Sequence, residues 1–401
     1  MKYRKQRPYG RGRREPSPIY LDNAATTFPK PPAVLRAVGE CLEEYCGNPG
    51  RGSHRLALRA AEEVYACREE AARLFGLDDP GRVIFTAGAT ASLNLAIKGL
   101  LRPGDHAVCS DMEHNAVYRP LFRLAEEGVI RFDAFGSFSA VPHHTDGMLL
   151  SALEHALRPE TRLVVCTHAS NICPATLPLA AIGRLCRERG VLFAVDAAQS
   201  AGILDIDMEA MQIDALAVPG HKGLYAPPGV GMLLLGEHIR PDTLLEGGNG
   251  LDSLSGGMGD DLPERYEPGT LPLPAIAGLR AGMRFVREVT PTAIREQETA
   301  LGCFVRDALQ ELPGVRVAVP YLSGGTVLFR VEGHASEEVA AYLDAVRPGI
   351  CTRPGFHCAA LGHRTLGTPE GGAVRVSFGY FNTRADAEAL IRAVAQFCRT
   401  A

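Results

Sequence analysis

Residues 191–222 read VLFAVDAAQSAGILDIDMEAMQIDALAVPGHK, and the fold turns on them. Residues 192–195 form a short, wholly apolar run that reads as a strand, with Asp196 at its end. A second run, 215–218, leads into Pro219, Gly220, His221 and Lys222. In an open α/β sheet, ligands bind beyond the carboxyl ends of the strands. A carboxylate there is costly unless a cation or donor meets it. A lysine there is desolvated, which lowers its pKa and frees the amine to form a Schiff base. Gln199 adds an amide close by. An acid, an amide and a lysine at neighbouring strand ends suit pyridoxal 5′-phosphate. The acid would hold the pyridine nitrogen protonated, the amide would bond the phenolic oxygen, and the lysine would carry the aldehyde. The plainer alternatives are a helix cap for Asp196 and a solvated loop for Lys222.

Composition sets wide bounds on the rest. The chain has 401 residues, 46% hydrophobic and 22% charged, and reads as an ordinary soluble globular protein of two or three domains. No apolar run approaches the roughly 20 residues needed to span a bilayer, and the N-terminus lacks the apolar core of a secretory signal. Eleven cysteines, an odd number with no C-x-x-C pair, argue against a disulfide framework and for a reducing cytoplasm. Residues 1–18 hold seven basic side chains against Glu15. That reads as a basic, disordered tail ahead of an acidic body, since the whole chain carries a net charge of −4. No nucleic-acid groove is expected.

Working outward, residues 19–27 (IYLDNAATT) read as a strand and a polar turn, and 35–45 as a helix. A glycine-rich loop ending in His54 precedes an amphipathic helix with Ala60, Val64, Cys67, Ala71 and Leu74 at helical spacing. Strand 83–86 enters a helix through Ala87, Gly88, Ala89 and Thr90, a small-residue turn that presents N–H groups to an anion. Strand 105–109 leads to Met112, Glu113, His114 and Asn115. His114 reads either as a group that stacks on a cofactor and moves protons or as a helix-start residue. Strand 163–167 is followed by Ser170 and Asn171, and strand 230–235 by a polar, Gly-rich stretch, 247–259, containing Asn249, Ser253 and Ser255. His143 and His144 lie in a loop and take no role. A long helix from about residue 275 reads as a bridge to a smaller α+β domain with strands 315–319, 326–331, 350–353 and 373–378. Thr383 caps its last helix.

The D-x-A-Q turn at Asp196 and Gln199, followed by Gly220, His221 and Lys222, resembles the signature of class V aminotransferase-fold, pyridoxal phosphate enzymes. The resemblance implies an α/β type I fold: a large domain with a mostly parallel seven-stranded sheet and a small α+β domain. The expected division is 33–275 for the large domain, with 19–32 and 276–401 for the small one. It further implies His114 as the stacking residue, a phosphate cup at Ala89 and Thr90, His221 and Asn171 beside the cofactor, and Thr270 as a phosphate contact supplied by the other subunit of a homodimer. His54 falls at the dimer contact. Two departures stand out: Cys173-Pro174-Ala175 replaces a glycine turn, and Pro219 stands where many relatives carry a phosphate-binding serine.

A second cluster runs from Ile350 to Ala359. Cys358 sits in a loop beside Arg353 and His357, an electropositive setting that favours thiolate. Most other cysteines read as small buried hydrophobes. An incidental surface thiol, or zinc held by Cys351, His357, Cys358 and His363, are the alternatives. R-x-G-x-H-C-A followed by R-V-S-F-G-Y-F-N-T resembles the group II cysteine desulfurases and selenocysteine lyases. Sixteen residues separate Cys358 from Arg375, the short spacing of that group. Residues 362–372 between them read only as a polar loop. The resemblance makes Cys358 the sulfur-accepting nucleophile, Arg375 the substrate-carboxylate ligand, and Arg353 and Asn171 its helpers, with Lys222 as the proton-moving base. L-Cysteine, or selenocysteine, would be the substrate, and an unidentified persulfide-acceptor protein the partner. Iron–sulfur cluster assembly is the expected setting. Another β-lyase, or a silent scaffold of the same fold, is the competing reading. No metal and no membrane partner are expected.

Overall fold

The computed structural model describes residues 17–400 except 51, 139–144, 249, 251–253, 255 and 369–370. The basic tail up to residue 16, His143, His144, Asn249, Ser253 and Ser255 therefore lie outside the described residues.

A seven-stranded sheet forms the larger unit, in the order Val83–Thr86, Gly231–Leu235, Ala215–Pro219, Leu192–Asp196, Thr161–Thr167, His106–Ser110, Arg131–Phe135. Gly231–Leu235 runs antiparallel to both neighbours and the remaining pairs are parallel. The mostly parallel seven-stranded sheet expected from the sequence is present. Central strands are apolar on both faces because helices cover both. Val164, Val195, Leu216 and Leu234 look into one core, and Val165, Ala194, Ala217 and Leu233 into the other. Each fully buried aliphatic side chain contributes about 1.5–3 kcal/mol relative to exposure. The edge strand Arg131–Phe135 has no counterpart in the sequence reading. Only Phe135 in it is buried, so its spelling, RFDAF, carries no continuous apolar run.

Helix Arg55–Phe75 buries Ala60, Val64, Cys67 and Ala71 as their spacing predicts, and Gly76 ends it in the left-handed region at φ 62°. His54 is its cap, the ring Nδ1 accepting from Ala57 N at 3.3 Å. The predicted helix over 35–45 is α-helical over Pro32–Glu40 and widens into a π turn over Cys41–Tyr45.

The bridge is two helices rather than one. Leu273–Val289 stops at Thr290 (φ 77°), which caps Pro291–Gln310 by accepting from Ala293 N. Proline at the first helical position has no N–H to lose, so Thr290-Pro291 starts a new helix. Leu273, Ile276, Leu279 and Met283 belong to the larger unit's core. The expected boundary after residue 275 thus falls inside a helix of that unit, whereas Leu301, Val305 and Leu309 belong to the smaller core.

The smaller unit carries an antiparallel sheet, Val315–Val317, Thr326–Val331 and Val374–Ser377. Ile19–Tyr20 pairs in parallel with Ile350–Cys351, tying the start of the described chain to this unit. Helix Arg384–Thr400 opens with a reciprocal cap: Asp386 N donates to Thr383 Oγ1 at 3.3 Å, and Thr383 N to Asp386 Oδ2 at 2.9 Å. Within the stretch read as a polar loop, Ala360–Thr365 is helical and His363 is buried. No helix among the described residues is long and apolar enough to cross a membrane.

Candidate active site

Strand ends and turns of the large sheet enclose a cavity of about 520 Å³. Lys222, Asp196, Gln199, His114, Asn171, His221, Ala89 and Thr90 all line it. Burial lowers the Lys222 amine to about 8; Asp196 opposes the fall while Arg375 and Arg353 add to it. The peptide before Lys222 is held firmly. His221 O accepts from Thr26 Oγ1 at 3.1 Å, Thr27 Oγ1 at 3.2 Å, Thr27 N at 3.2 Å and Lys30 Nζ at 2.8 Å. The expected polar turn at residues 23–27 therefore clamps the lysine loop. Its threonines show no such task in the sequence alone.

Asp196 is 3% exposed at the end of its strand. Its Oδ1 accepts from Ala198 N at 2.9 Å, holding a turn and not the helix start of the plainer reading. No protein group among the described residues bonds Oδ2. Burial raises the carboxyl's pKa against the Ala198 bond and the charge of Lys222. Gln199 Nε2 donates to Ala24 O at 3.0 Å. That bond uses one amide hydrogen and leaves the rest of the group at the cavity wall. Helix Ala89–Leu100 begins at the opposite end, and the N–H groups of Ala89 and Thr90 in its first turn lack intrahelical acceptors. Pro219, which lines the same wall, offers neither a hydroxyl nor an N–H.

His114 is the helix-start residue of the plainer reading, and it also stands at the cavity. Its Nδ1 accepts from Ala116 N at 3.0 Å, capping helix Asn115–Glu126, and its ring borders the cavity. Burial, reinforced by Lys222 and Arg353, lowers its pKa to about 4. The ring is neutral near pH 7, and the accepting Nδ1 puts its proton on Nε2. Glu113, without a role in the sequence reading, is fully buried and accepts from Thr167 N at 2.7 Å and from Ser110 Oγ. Burial pushes its carboxyl up to about 8.

The cysteine loop docks on this wall from the smaller unit. Asn115 N donates to Cys358 O at 2.7 Å, and Asn171 Nδ2 to His357 O at 2.7 Å. His357 (φ 52°) and Cys358 (φ 56°) are consecutive left-handed residues, a conformation non-glycine residues seldom take. Cys358 is exposed and lies outside the cavity lining.

His357 does not provide the cationic neighbour expected for the thiol. Its ring points inward, and burial holds it down to about 3. Nε2 meets Arg353 O at 2.9 Å, Nδ1 meets His363 Nε2 at 3.1 Å, and His363 Nδ1 meets Thr368 Oγ1 at 2.7 Å. A carbonyl can only accept, so His357 carries its proton on Nε2, His363 on Nε2, and the Thr368 hydroxyl donates. This chain spends both imidazoles on each other, so the four residues weighed as zinc ligands do not converge. No metal-binding group of three His, Cys, Asp or Glu forms among the described residues.

Arg375 is 1% exposed. It donates to Asp22 Oδ1 at 2.6 Å and to Asn171 O at 2.9 Å, and Nε is left unpaired. Asp22, in the quoted IYLDNAATT stretch, is the partner that sequence reasoning missed; a lone acid in a turn carries no signal of an arginine 353 positions away. Arg353 pairs backbone-to-backbone with Arg375 at 3.1 and 2.8 Å. The Cys173-Pro174-Ala175 departure is absorbed by Gly324, where a Cβ would lie 2.7 Å from Pro174 Cβ. Thr270 is exposed and outside the cavity, 3.5 Å from Asn48 Nδ2, on a loop anchored by the buried Arg68–Glu267 pair at 2.6 Å.

A family model described as Aminotransferase class-V matches residues 19–390. A probable cysteine desulfurase of Methanothermobacter thermautotrophicus is 32% identical over 383 residues, covering 93% of this chain and 92% of that protein. The apo structure of a cysteine desulfurase from Thermococcus onnurineus NA1 superposes with a TM-score of 0.85 at 28% identity, covering 96% of this chain and 95% of that one. The cysteine desulfurase CsdA from Escherichia coli, solved as the S-sulfonic acid, does so at 0.84 and 26% identity, with the same coverage.

Proposed function

Because this chain belongs to the aminotransferase class-V family, we propose that it is a pyridoxal phosphate-dependent cysteine desulfurase of the group II kind. It converts L-cysteine to L-alanine and leaves the sulfur as a persulfide on Cys358. The family is pyridoxal phosphate-dependent, and the donor set here fits that group. Asp196 is a buried acid on the cavity lining whose Oδ2 has no protein partner among the described residues, suited to a protonated ring nitrogen. The first turn at Ala89 and Thr90 suits the phosphate, and Lys222 the aldehyde. Bound there, the cofactor supplies an electron sink for the pair released at the substrate Cα.

The chain's own groups do the remaining work. Lys222 Nζ, whose pKa burial lowers to about 8, would take the Cα proton from bound substrate. Neutral His114 presents its Nε2 proton at the cavity wall. Arg375 offers its fork to the substrate carboxylate in exchange for Asp22, with Arg353 and Asn171 holding the loop around it. Cys358 thiolate then attacks the substrate sulfur. The S–S bond forms as the Cβ–S bond breaks, and the carbon skeleton leaves as alanine after protonation.

The observation that carries this reading is the docking of the backbone of the Cys358 loop onto Asn115 and Asn171, which holds a loop with an exposed thiol next to the lysine cavity. An exposed thiol can also pass sulfur to a separate acceptor protein, with iron–sulfur cluster assembly as the destination. The eleven free cysteines support a cytoplasmic setting. Among the described residues, the Thr270 hydroxyl meets only Asn48 Nδ2 of its own chain, at a long 3.5 Å. Together with the exposed Leu35, Leu42, Leu56 and Tyr65, it supports a homodimer in which it reaches the partner's phosphate site.

Mass spectrometry after incubation with L-cysteine tests the proposal. Wild type should gain one sulfur atom on the Cys358 peptide, and Cys358→Ser should gain none while still binding cysteine. Equal cysteine turnover by wild type and Cys358→Ala would overturn it in favour of a simple β-lyase. Selenocysteine cleavage that survives in Cys358→Ala, with cysteine turnover lost, marks the relaxed selectivity of a selenocysteine lyase.

A further inference from the structure

A second cavity, of about 280 Å³, lies between the two cores and shares Lys222 and Gln199 with the first as its wall. One side is the loop from Ala169 to Thr176; the other is helix Pro291–Gln310, which presents Arg295 and Glu298. The volume sits just below the range of about 300–1,000 Å³ for small-molecule sites, so a ligand of few heavy atoms suits it.

Glu298 is the unusual feature. It is 7% exposed, lines the cavity, and has no hydrogen bond or ion pair among the described residues. Burial alone pushes its carboxyl up to about 8. The backbone opposite makes room for it: a side chain at Gly325 would meet Glu298 Cβ at 2.8 Å and Oε2 at 3.4 Å. Buried carboxyls nearly always have partners, so one aimed into a cavity asks for a donor from the ligand. Arg295 lies one turn earlier on the same helical face, exposed at the edge, and is likewise without a protein partner among the described residues. The two do not pair with each other. A simple anion would bring Glu298 no cation to stabilise its ionised form, and a simple cation would leave Arg295 unused. A group with both charges on neighbouring atoms satisfies both.

We propose that this cavity binds a small neutral L-α-amino acid as its zwitterion, ammonium on Glu298 and carboxylate on Arg295. Such a ligand bridges the smaller unit's helix to the loops around Gln199 and Lys222, so occupancy bears directly on the catalytic wall. The site adjoins the proposed cofactor site across Lys222 and Gln199, but its ligand groups, Glu298 and Arg295, do not depend on that assignment.

Borohydride treatment of the holoenzyme, which fixes the cofactor to Lys222 and stops amino acids entering there, isolates the second site. Equilibrium dialysis of the reduced protein with radiolabelled L-alanine should show one molecule bound per chain. Affinity should fall roughly tenfold or more in Glu298→Gln and in Arg295→Met, the loss of one charge-assisted hydrogen bond. Arg295 is exposed, so its variant keeps the test valid if Glu298→Gln fails to fold. Propionate and ethylamine, each carrying half of the zwitterion, should bind at least tenfold more weakly than alanine. No saturable binding to the reduced protein, unchanged affinity in Arg295→Met, or half-ligands as good as alanine would each overturn the proposal. A protein whose spectrum shows no cofactor to reduce would instead sink the catalytic reading, and the same dialysis still decides the second site on that protein.

Discussion

The lysine loop and the cysteine loop are built in opposite ways. Lys222 follows a buried strand; four donors grip the carbonyl before it, and burial sets its amine near neutrality. Cys358 is exposed, on a backbone bent through two left-handed residues and held by its carbonyls rather than by its side chain. One group is prepared by removing water, the other by placing the backbone. A proton-moving base gains from desolvation, since the neutral amine is what reacts. On the proposed mechanism the thiol meets a buried substrate and then an outside acceptor, so it cannot be walled in, and its loop is held through the neighbouring peptide groups.

If that contrast is right, breaking each side gives a different signature. The largest effect belongs to Lys222→Ala, which should lower cysteine turnover by about 10³-fold or more, with Tm little changed, as steady-state kinetics and calorimetry would show. Equal loss of stability would mean that the lysine serves mainly to hold the loop.

Asp22→Asn comes next. It removes the counter-charge of Arg375, whose side chain is 2% exposed against 20% for Asp22. The partial exposure of Asp22 limits the cost to about 2 kcal/mol, measurable as a lower urea midpoint at unchanged m. Unaltered stability would show that the pair is incidental.

Thr368→Val keeps the shape but takes away the hydroxyl that donates to His363, leaving a buried ring nitrogen unpaired at a cost of about 1–3 kcal/mol. Hydrogen exchange should quicken in the cysteine loop and stay unchanged around Lys222. Uniform quickening would refute the idea that the two loops are held independently.

The smallest effect concerns pH. Glu113 has a folded pKa of about 8, above the ordinary carboxyl value of 4.5. The folded state therefore holds a proton that the unfolded chain gives up between those values. Its stabilising contribution is full below the unfolded pKa and is lost as pH rises through 8. Glu113→Gln should flatten the fall in Tm between pH 6 and 9; a slope as steep as wild type would place Glu113 as an ordinary ionised carboxylate.

Much of this molecule was legible in its sequence because the signals are local. Apolar runs ending at Asp196 and Pro219 mark buried strands whatever surrounds them. Small residues at Gly88–Thr90 mark a helix start, and Thr383 with Asp386 a cap. The lysine and the loop cysteine stand out as chemistry-bearing side chains in apolar or glycine-rich company. What escaped were relations between distant segments. The Asp22–Arg375 pair, the grip of Thr26, Thr27 and Lys30 on His221, and the docking of Cys358 on Asn115 join residues that no spacing rule connects. In sequence His357 contributes to an electropositive setting for the thiol; only packing shows it turned inward and neutral, because desolvation depends on what the folded chain places around a side chain. The sequence by itself determined the sheet and the strand ends at which the reactive groups stand. Tertiary structure decided their protonation, their partners and the paired cavities behind Lys222, since burial and hydrogen bonding are properties of the assembled chain.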